Sequence, residues 1–244
     1  LADQFNELGR MDAIIHNAAV YADQQRFPTP ERHPRTLAVN VLAPYLLTAL
    51  VERPDRLIYL TSGMHLTGDA SLHDIDWTAR RWNGIQAYCD SKLFVTALAF
   101  AVARRWPQIS SNAVDPGWVA TRMGGPAAPD DLELGHLTQV WLATSDEPEA
   151  TLSGACWYHR RRQTAADPDP RSARFCGASR PGAAGLRTGD EPAVPARRTP
   201  GHAVCALAEP AAAGRGGRAR VGACLRFARR VTGAARASAE RGRR

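Results

Sequence analysis

Residues 1–162 of this 244-residue chain predict an α/β fold, a parallel sheet wound with helices on both faces. Three observations carry that expectation. Short apolar runs of strand length alternate with longer stretches of helical period. The runs are continuous rather than alternating, as in strands buried on both faces. They end in Asn17, in Ser62 and at a Pro116-Gly117 turn, and in parallel sheets ligands bind beyond the carboxyl ends of the strands.

Taken in order, residues 11–16 form the first such strand, ending at Asn17. Residues 36–51 are rich in Leu and Ala and helical in pattern, with Pro44 expected to distort or kink the helix. Residues 56–61 form a second strand that opens into Ser62-Gly63, and residues 86–106 a long amphipathic helix stopped by Pro107. Residues 109–114 form a third strand, closed by Asp115-Pro116-Gly117; residues 132–144 are helical, and residues 154–158 a last short strand.

The composition changes after residue 162. Residues 1–162 hold 15 Lys+Arg against 18 Asp+Glu, a net charge of −3. Residues 163–244 hold 16 Arg against 6 acids, +10, so the tail alone makes the chain basic at +7. Only 9 of its residues are Leu, Val or Phe, too few to build a core beside that charge. A disordered Arg/Ala/Gly/Pro-rich tail is expected, and a frameshift near residues 163–172 of a GC-rich gene accounts for its composition. The rival reading is a basic arm that binds nucleic acid through phosphates. Its arginines are scattered, without interleaved aromatics or a recognisable module, which disfavours nucleic acid as a partner.

Cys89, Cys156, Cys176, Cys205 and Cys224 form no Cys-x-x-Cys pair and no metal-ligand spacing, which fits reduced thiols and a cytoplasmic location. No run reaches the 18 or so consecutive apolar residues of a membrane span, and no signal peptide opens the chain. His65, His73, His136 and His159 share no metal-binding spacing and are expected on the surface or in loops.

Against thirty arginines the chain keeps one lysine, Lys92, four residues after Tyr88. Positions i and i+4 share a helix face, so both side chains would enter one site. A tyrosine has a free pKa of about 10 and is a poor base until a nearby cation favours its phenolate. A compact ammonium does this in a way a guanidinium does not.

Together these residues resemble the short-chain dehydrogenase/reductase family. His16-Asn17-Ala18-Ala19 is similar to its Asn-Asn-Ala-Gly motif, and Asn40 to its catalytic asparagine. Ser62 is similar to its catalytic serine, with Thr61 the alternative next door; Tyr88 and Lys92 resemble its catalytic pair, and Pro116-Gly117 its cofactor turn. The resemblance implies a partial Rossmann-type doubly wound sheet and an NAD(P)-dependent oxidoreductase without a metal. Tyr88 would exchange a proton with the substrate oxygen, which Ser62 positions. Lys92 would lower the Tyr88 pKa and hold the nicotinamide ribose, and Asn40 would fix a water behind it. Asn17, Ala18, Pro116, Gly117, Val119 and Thr121 would complete the cofactor site. A homo-oligomer paired through the long helices is implied as well.

Ser62 and Tyr88 lie 26 residues apart, a long separation similar to the branch that includes retinol and protochlorophyllide reductases. An intervening loop of that length is expected to cover a bulky or apolar carbonyl or alcohol substrate. The family's glycine-rich nucleotide turn is not found, nor the acidic residue that would separate NAD from NADP, and the family's first three strands are expected to precede residue 1. An open edge at the first strand, poor solubility and weak or no nicotinamide-nucleotide binding are therefore expected. A non-catalytic remnant is the alternative to an enzyme.

Overall fold

The computed structural model of the protein describes residues 1–165 and the backbone of residues 204–206. Its sheet contains β1 (Ala13–His16), β2 (Arg56–Leu60), β3 (Ser110–Asp115), β4 (Cys156–Tyr158), β5 (Arg161–Gln163) and β6 (Val204–Ala206), in the order β5-β4-β3-β2-β1-β6. β1 to β4 and β6 are parallel, whereas β5 runs antiparallel to β4. The helices are α1 (Ala2–Glu7), α2 (Arg35–Leu37), α3 (Ala43–Leu50), α4 (Gly84–Arg105) and α5 (Leu134–Thr144).

Successive strand side chains point to opposite faces, so each apolar run feeds two cores. Ile14, Leu57, Tyr59 and Ala113 meet Leu47 of α3 and Val95 and Ala99 of α4. Ala13, Ile15, Ile58, Leu60 and Val114 meet Trp141 and Leu142 of α5, together with Trp157. That two-sided burial is the doubly wound arrangement expected from the continuous apolar runs. α4 is long and apolar enough, by length and composition, to cross a membrane, but 67% of that window is buried in the fold.

Pro44 acts earlier and more specifically than a kink. Having no N–H, it cannot donate to the carbonyl of Asn40 in an α-helical bond. The chain meets this with a π-helical turn over Ala38–Leu42, where the Ala43 N–H bonds to Ala38 one residue further back than usual. π-turns within helices often mark functional positions, and this one carries the buried Asn40. At the far end of α4, Trp106 leaves the helical region, with φ −125° and ψ 74°, as the clash with a following proline favours.

At one edge, β5 turns back on β4 through His159 and Arg160, both at positive φ, a pair of left-handed residues typical of a tight hairpin. At the other, one expectation is corrected: the edge of β1 is not open, because Ala13, Ile14 and Ile15 pair with Val204, Cys205 and Ala206. Apart from residues 163–165 and that short strand, the tail and its expected disorder lie outside the described residues.

The segment between Ser62 and α4 is an ordered structure of its own. It opens with a 3-10 helix, Gly63–Thr67, after which the Asp74 carboxylate accepts the backbone N–H groups of Thr78, Ala79 and Arg80. Arg80 lies over the Trp77 ring, 3.5 Å from its centroid, and donates to Asp90 at 3.1 Å. Asp90 also accepts Asp69 N–H at 2.8 Å and the Gln86 amide at 2.7 Å. A small cavity of about 10 Å³, roughly the room of one water, is lined by Ile75, Trp77, Arg80, Ala87, Asp90 and Phe94, among others. At 100° per residue, Ala87, Asp90 and Phe94 share a different stripe of α4 from Tyr88 and Lys92. This part of the long loop therefore packs on the flank of α4.

Gly84, at the start of α4, has no room for a side chain: a Cβ there would meet the Asp23 carbonyl oxygen at 2.0 Å, with backbone as the obstacle. Gly84→Ala should lower the unfolding free energy by about 1–3 kcal/mol, read as a lower urea midpoint at unchanged slope.

Candidate active site

Tyr88 and Lys92 lie one turn apart on the buried face of α4, at the carboxyl end of β2. The Lys92 ammonium donates to the Leu60 carbonyl at 2.8 Å and sits 5.4 Å from the centre of the Tyr88 ring. Leu60 O takes one of the three donors an ammonium carries. Burial lowers the Lys92 pKa to about 8, opposed by the negative charge of Asp115.

Tyr88 is 6% exposed. Burial raises its pKa above the ordinary phenol value, a hydrogen bond from Ser62 pulls the other way, and Asp115, Tyr21 and Cys89 push it up further. Lys92 was expected to lower this pKa. Burial sets the direction instead, and Lys92 is not among the groups that shift Tyr88; its ammonium is turned to the Leu60 carbonyl. The resting site holds a protonated phenol.

Ser62 follows β2 in an extended conformation, and its hydroxyl accepts Met64 N–H at 3.3 Å. Thr61 has another task. Its buried hydroxyl donates to the Lys92 carbonyl at 3.1 Å and pairs with Thr96 at 2.7 Å, fastening β2 to α4. Asn40 accepts Val20 N–H at 2.8 Å and donates to the Val20 carbonyl at 3.0 Å and the Ser91 hydroxyl at 2.9 Å. With both amide hydrogens committed, this side chain holds the loop after β1 against α4, and the amide nitrogen has no donor left for the expected water.

The remaining positions lie at the ends of neighbouring strands. Asn17 is exposed just past β1, with its N–H turned back to the Ile15 carbonyl at 3.0 Å, and Ala18 beside it is half-buried. Pro116 and Gly117 follow β3. Gly117 has φ +84°, and its N–H donates to Asp115 at 3.0 Å. A Cβ on Gly117 would stand 2.7 Å from an Asp130 oxygen, so the turn requires glycine for both reasons. Val119 is buried, whereas Thr121 is exposed and its hydroxyl accepts Gly124 N–H at 3.2 Å within its own turn.

Three residues of the site escaped the sequence reading. His65, expected on the surface or in a loop, is buried in the segment after β2 with Nδ1 2.6 Å from the Ser62 carbonyl, and burial lowers its pKa. Asp115 places its charge on Lys92, Tyr88 and His65. Its position one residue before Pro116-Gly117 was the available signal. Tyr21 lies edge-on against Tyr88, with ring centres 4.7 Å apart. Nothing in its spacing announces that. Among the described residues no three His, Cys, Asp or Glu side chains gather to hold a metal.

The buried ammonium has a thermodynamic signature. Lys92 loses its proton near pH 8 when folded and at 10.5 when not, so between these values the unfolded chain binds more protons and stability rises with pH. Tyr88 and Tyr59, with raised pKa values, reverse the slope above pH 10. Buried Cys156, its thiol pushed up to about 12, opposes that rise from pH 9 upward, so urea unfolding should show stability climbing from about pH 8 to about pH 9 and then levelling, and Lys92→Met should abolish the climb.

The family profile described as enoyl-(acyl carrier protein) reductase, of the short-chain alcohol dehydrogenase type, matches residues 1–149. A short-chain dehydrogenase of Penicillium rubens, chyC, is 41% identical over 165 residues, 66% of this chain and 63% of that one. Another from Gibberella zeae, chry4, is 40% identical over 157 residues, 63% of this chain and 60% of that one. Human retinol dehydrogenase 13 is 32% identical over 123 residues, covering 47% and 37%. The chain thus spans under two thirds of the length of these relatives. A Mycobacterium paratuberculosis protein of known crystal structure has the same fold, with a TM-score of 0.54 at 23% identity over 64% of this chain and 57% of that one. On the profile match and the identity to these dehydrogenases, the chain belongs to the short-chain dehydrogenase/reductase family.

Proposed function

We propose that this chain carries the catalytic half of an NAD(P)-dependent oxidoreductase that interconverts a carbonyl and an alcohol. The observation that carries the reading is the placing of Tyr88 and Lys92 one turn apart on the buried face of α4, at the carboxyl end of β2 where Ser62 follows, with burial holding the Tyr88 phenol above its ordinary pKa. When bound, the nicotinamide supplies or accepts the hydride at the carbonyl carbon. The residues of the chain do the rest. In reduction, Tyr88 gives its hydroxyl proton to the carbonyl oxygen, and Ser62 donates a hydrogen bond to that oxygen and orients it. In oxidation the proton returns to Tyr88.

The nicotinamide-ribose end of the cofactor fits what is present. Lys92 has two ammonium donors left after Leu60, directed from a buried position that favours ribose hydroxyls as partners. Asn17, Ala18, Pro116, Gly117, Val119 and Thr121 would border that end of the site from the tips of β1 and β3. Asn40 acts by positioning, through Val20 and Ser91. Among the described residues no glycine-rich strand–turn–helix cradles the pyrophosphate, so tight cofactor binding by these residues alone is not expected. The choice between NAD and NADP belongs to the adenosine end.

Nicotinamide absorbance followed with a set of ketones and aldehydes tests the reading. Tyr88→Phe should lower turnover at least about 100-fold, the scale of a lost general acid, with cofactor affinity little changed. Equal turnover in the parent and in Tyr88→Phe would remove Tyr88 from the chemistry.

A further inference from the structure

The part of the long loop around Trp77 and Arg80 packs along the flank of α4. A different residue stands beside Tyr88. Tyr21 meets the Tyr88 ring edge-on at an interplanar angle of 87°, and it is 43% exposed where Tyr88 is 6% exposed. One side of the Tyr21 ring thus abuts the reacting group while much of the remainder faces solvent. Ile85, three residues before Tyr88 on α4 and 56% exposed, adds an apolar neighbour on the same helix face.

The backbone that carries Tyr21 is held on both sides. Before it, Val20 gives both its N–H and its carbonyl to Asn40. After it, Ala22 takes the left-handed value φ +42°, a conformation that alanine keeps only where its surroundings impose it. Asp23 follows, its carbonyl accepting Trp82 Nε1 at 2.9 Å and packing against Gly84, its carboxylate paired with Arg35. An exposed aromatic ring on an over-determined backbone binds a partner at little further entropic cost.

We propose that Tyr21 determines the specificity of this site by stacking on the aromatic ring of an aryl carbonyl substrate, or of the matching benzylic alcohol. The proposal rests on the reading of Tyr88 as proton donor, since that reading puts the substrate oxygen at Tyr88 and Ser62. An aryl group attached directly to the reacting carbon then falls within reach of Tyr21, and aromatic rings prefer edge-on or offset contact with one another. A flexible alkyl chain of similar bulk has no such preference.

Binding of two methyl ketones of equal carbon number, acetophenone and hexyl methyl ketone, to the purified full chain separates the cases. Dissociation constants come from ligand-observed NMR, with near-ultraviolet circular dichroism verifying the fold of each variant. Tyr21→Ala should weaken acetophenone about five- to tenfold and leave hexyl methyl ketone within about twofold. Tyr21→Phe should retain acetophenone. Tyr21→Leu, which keeps apolar volume without a ring, should behave as Tyr21→Ala and replaces it should alanine unfold the loop. No acetophenone binding by the parent, equal weakening of both ketones in Tyr21→Ala or Tyr21→Leu, or loss of acetophenone in Tyr21→Phe would overturn the proposal. Tyr88→Phe should weaken both ketones alike. If it changes neither while Tyr21→Ala still discriminates, the proton-donor reading fails and the stacking site stands.

Discussion

The side-chain amide of Asn40 holds together three segments that are distant in sequence. It closes both backbone groups of Val20 and reaches Ser91 on α4, all from a π-turn that exists because Pro44 withholds a donor. Removing the amide would strand buried polar groups on two segments, each costing about 1–3 kcal/mol. The loop after β1, the entry to α4 and the spacing between them depend on this contact. Tyr21 and Tyr88 sit on its two sides. A proline that looks like a helix defect is thus the reason a buried polar residue can serve as the junction of the site.

Burial sets the charge state around that junction. Lys92 is driven toward neutrality and Tyr88 away from ionisation, while Asp115 favours the cationic lysine and disfavours the phenolate. In low dielectric an ammonium with one carbonyl partner is poorly stabilised, and further oxygen ligands at its open donors would restore its charge. Under the proposed function, the cofactor ribose would offer such oxygens to Lys92. A protonated tyrosine beside an incompletely solvated lysine is a site prepared for a hydroxyl-bearing ligand.

Much of the fold was legible because burial on both faces leaves a plain mark: β1, β2 and β3 read as unbroken apolar runs, and α4 as a long periodic stretch ended by Pro107. Lys92 was legible because a chain with thirty arginines keeps it alone. The parts that escaped depend on contacts distant in sequence or on local backbone choices. A π-turn and a kink answer the same proline, and the choice between them follows from what Asn40 can reach. β5 is written in arginines and glutamine, so no hydrophobic pattern marks it as a strand. His65 has no apolar stripe around it and is buried by the turn it helps to form. Tyr21 is placed by Asn40, Trp82 and Gly84, which lie about 20 to 60 positions away, beyond the reach of the periodicity and turn rules that read the elements.

The short hairpin that ends the described body also governs how the sheet meets other molecules. All three residues of β5 are exposed, and two of them are arginines on an outermost strand. An outer strand with charged side chains is a poor template for another chain, because an added strand would have to bury or crowd those charges. The two left-handed residues before it reverse the chain within a few residues, so this border is also brief. Growth of the sheet by strand addition is thus blocked at the β5 border by like charge. Among the described residues, the other side of β1 is covered by three residues of backbone pairing from a segment far along the chain. The two sides of the described sheet thus differ in kind, one bordered by charge and the other by a short intramolecular pairing.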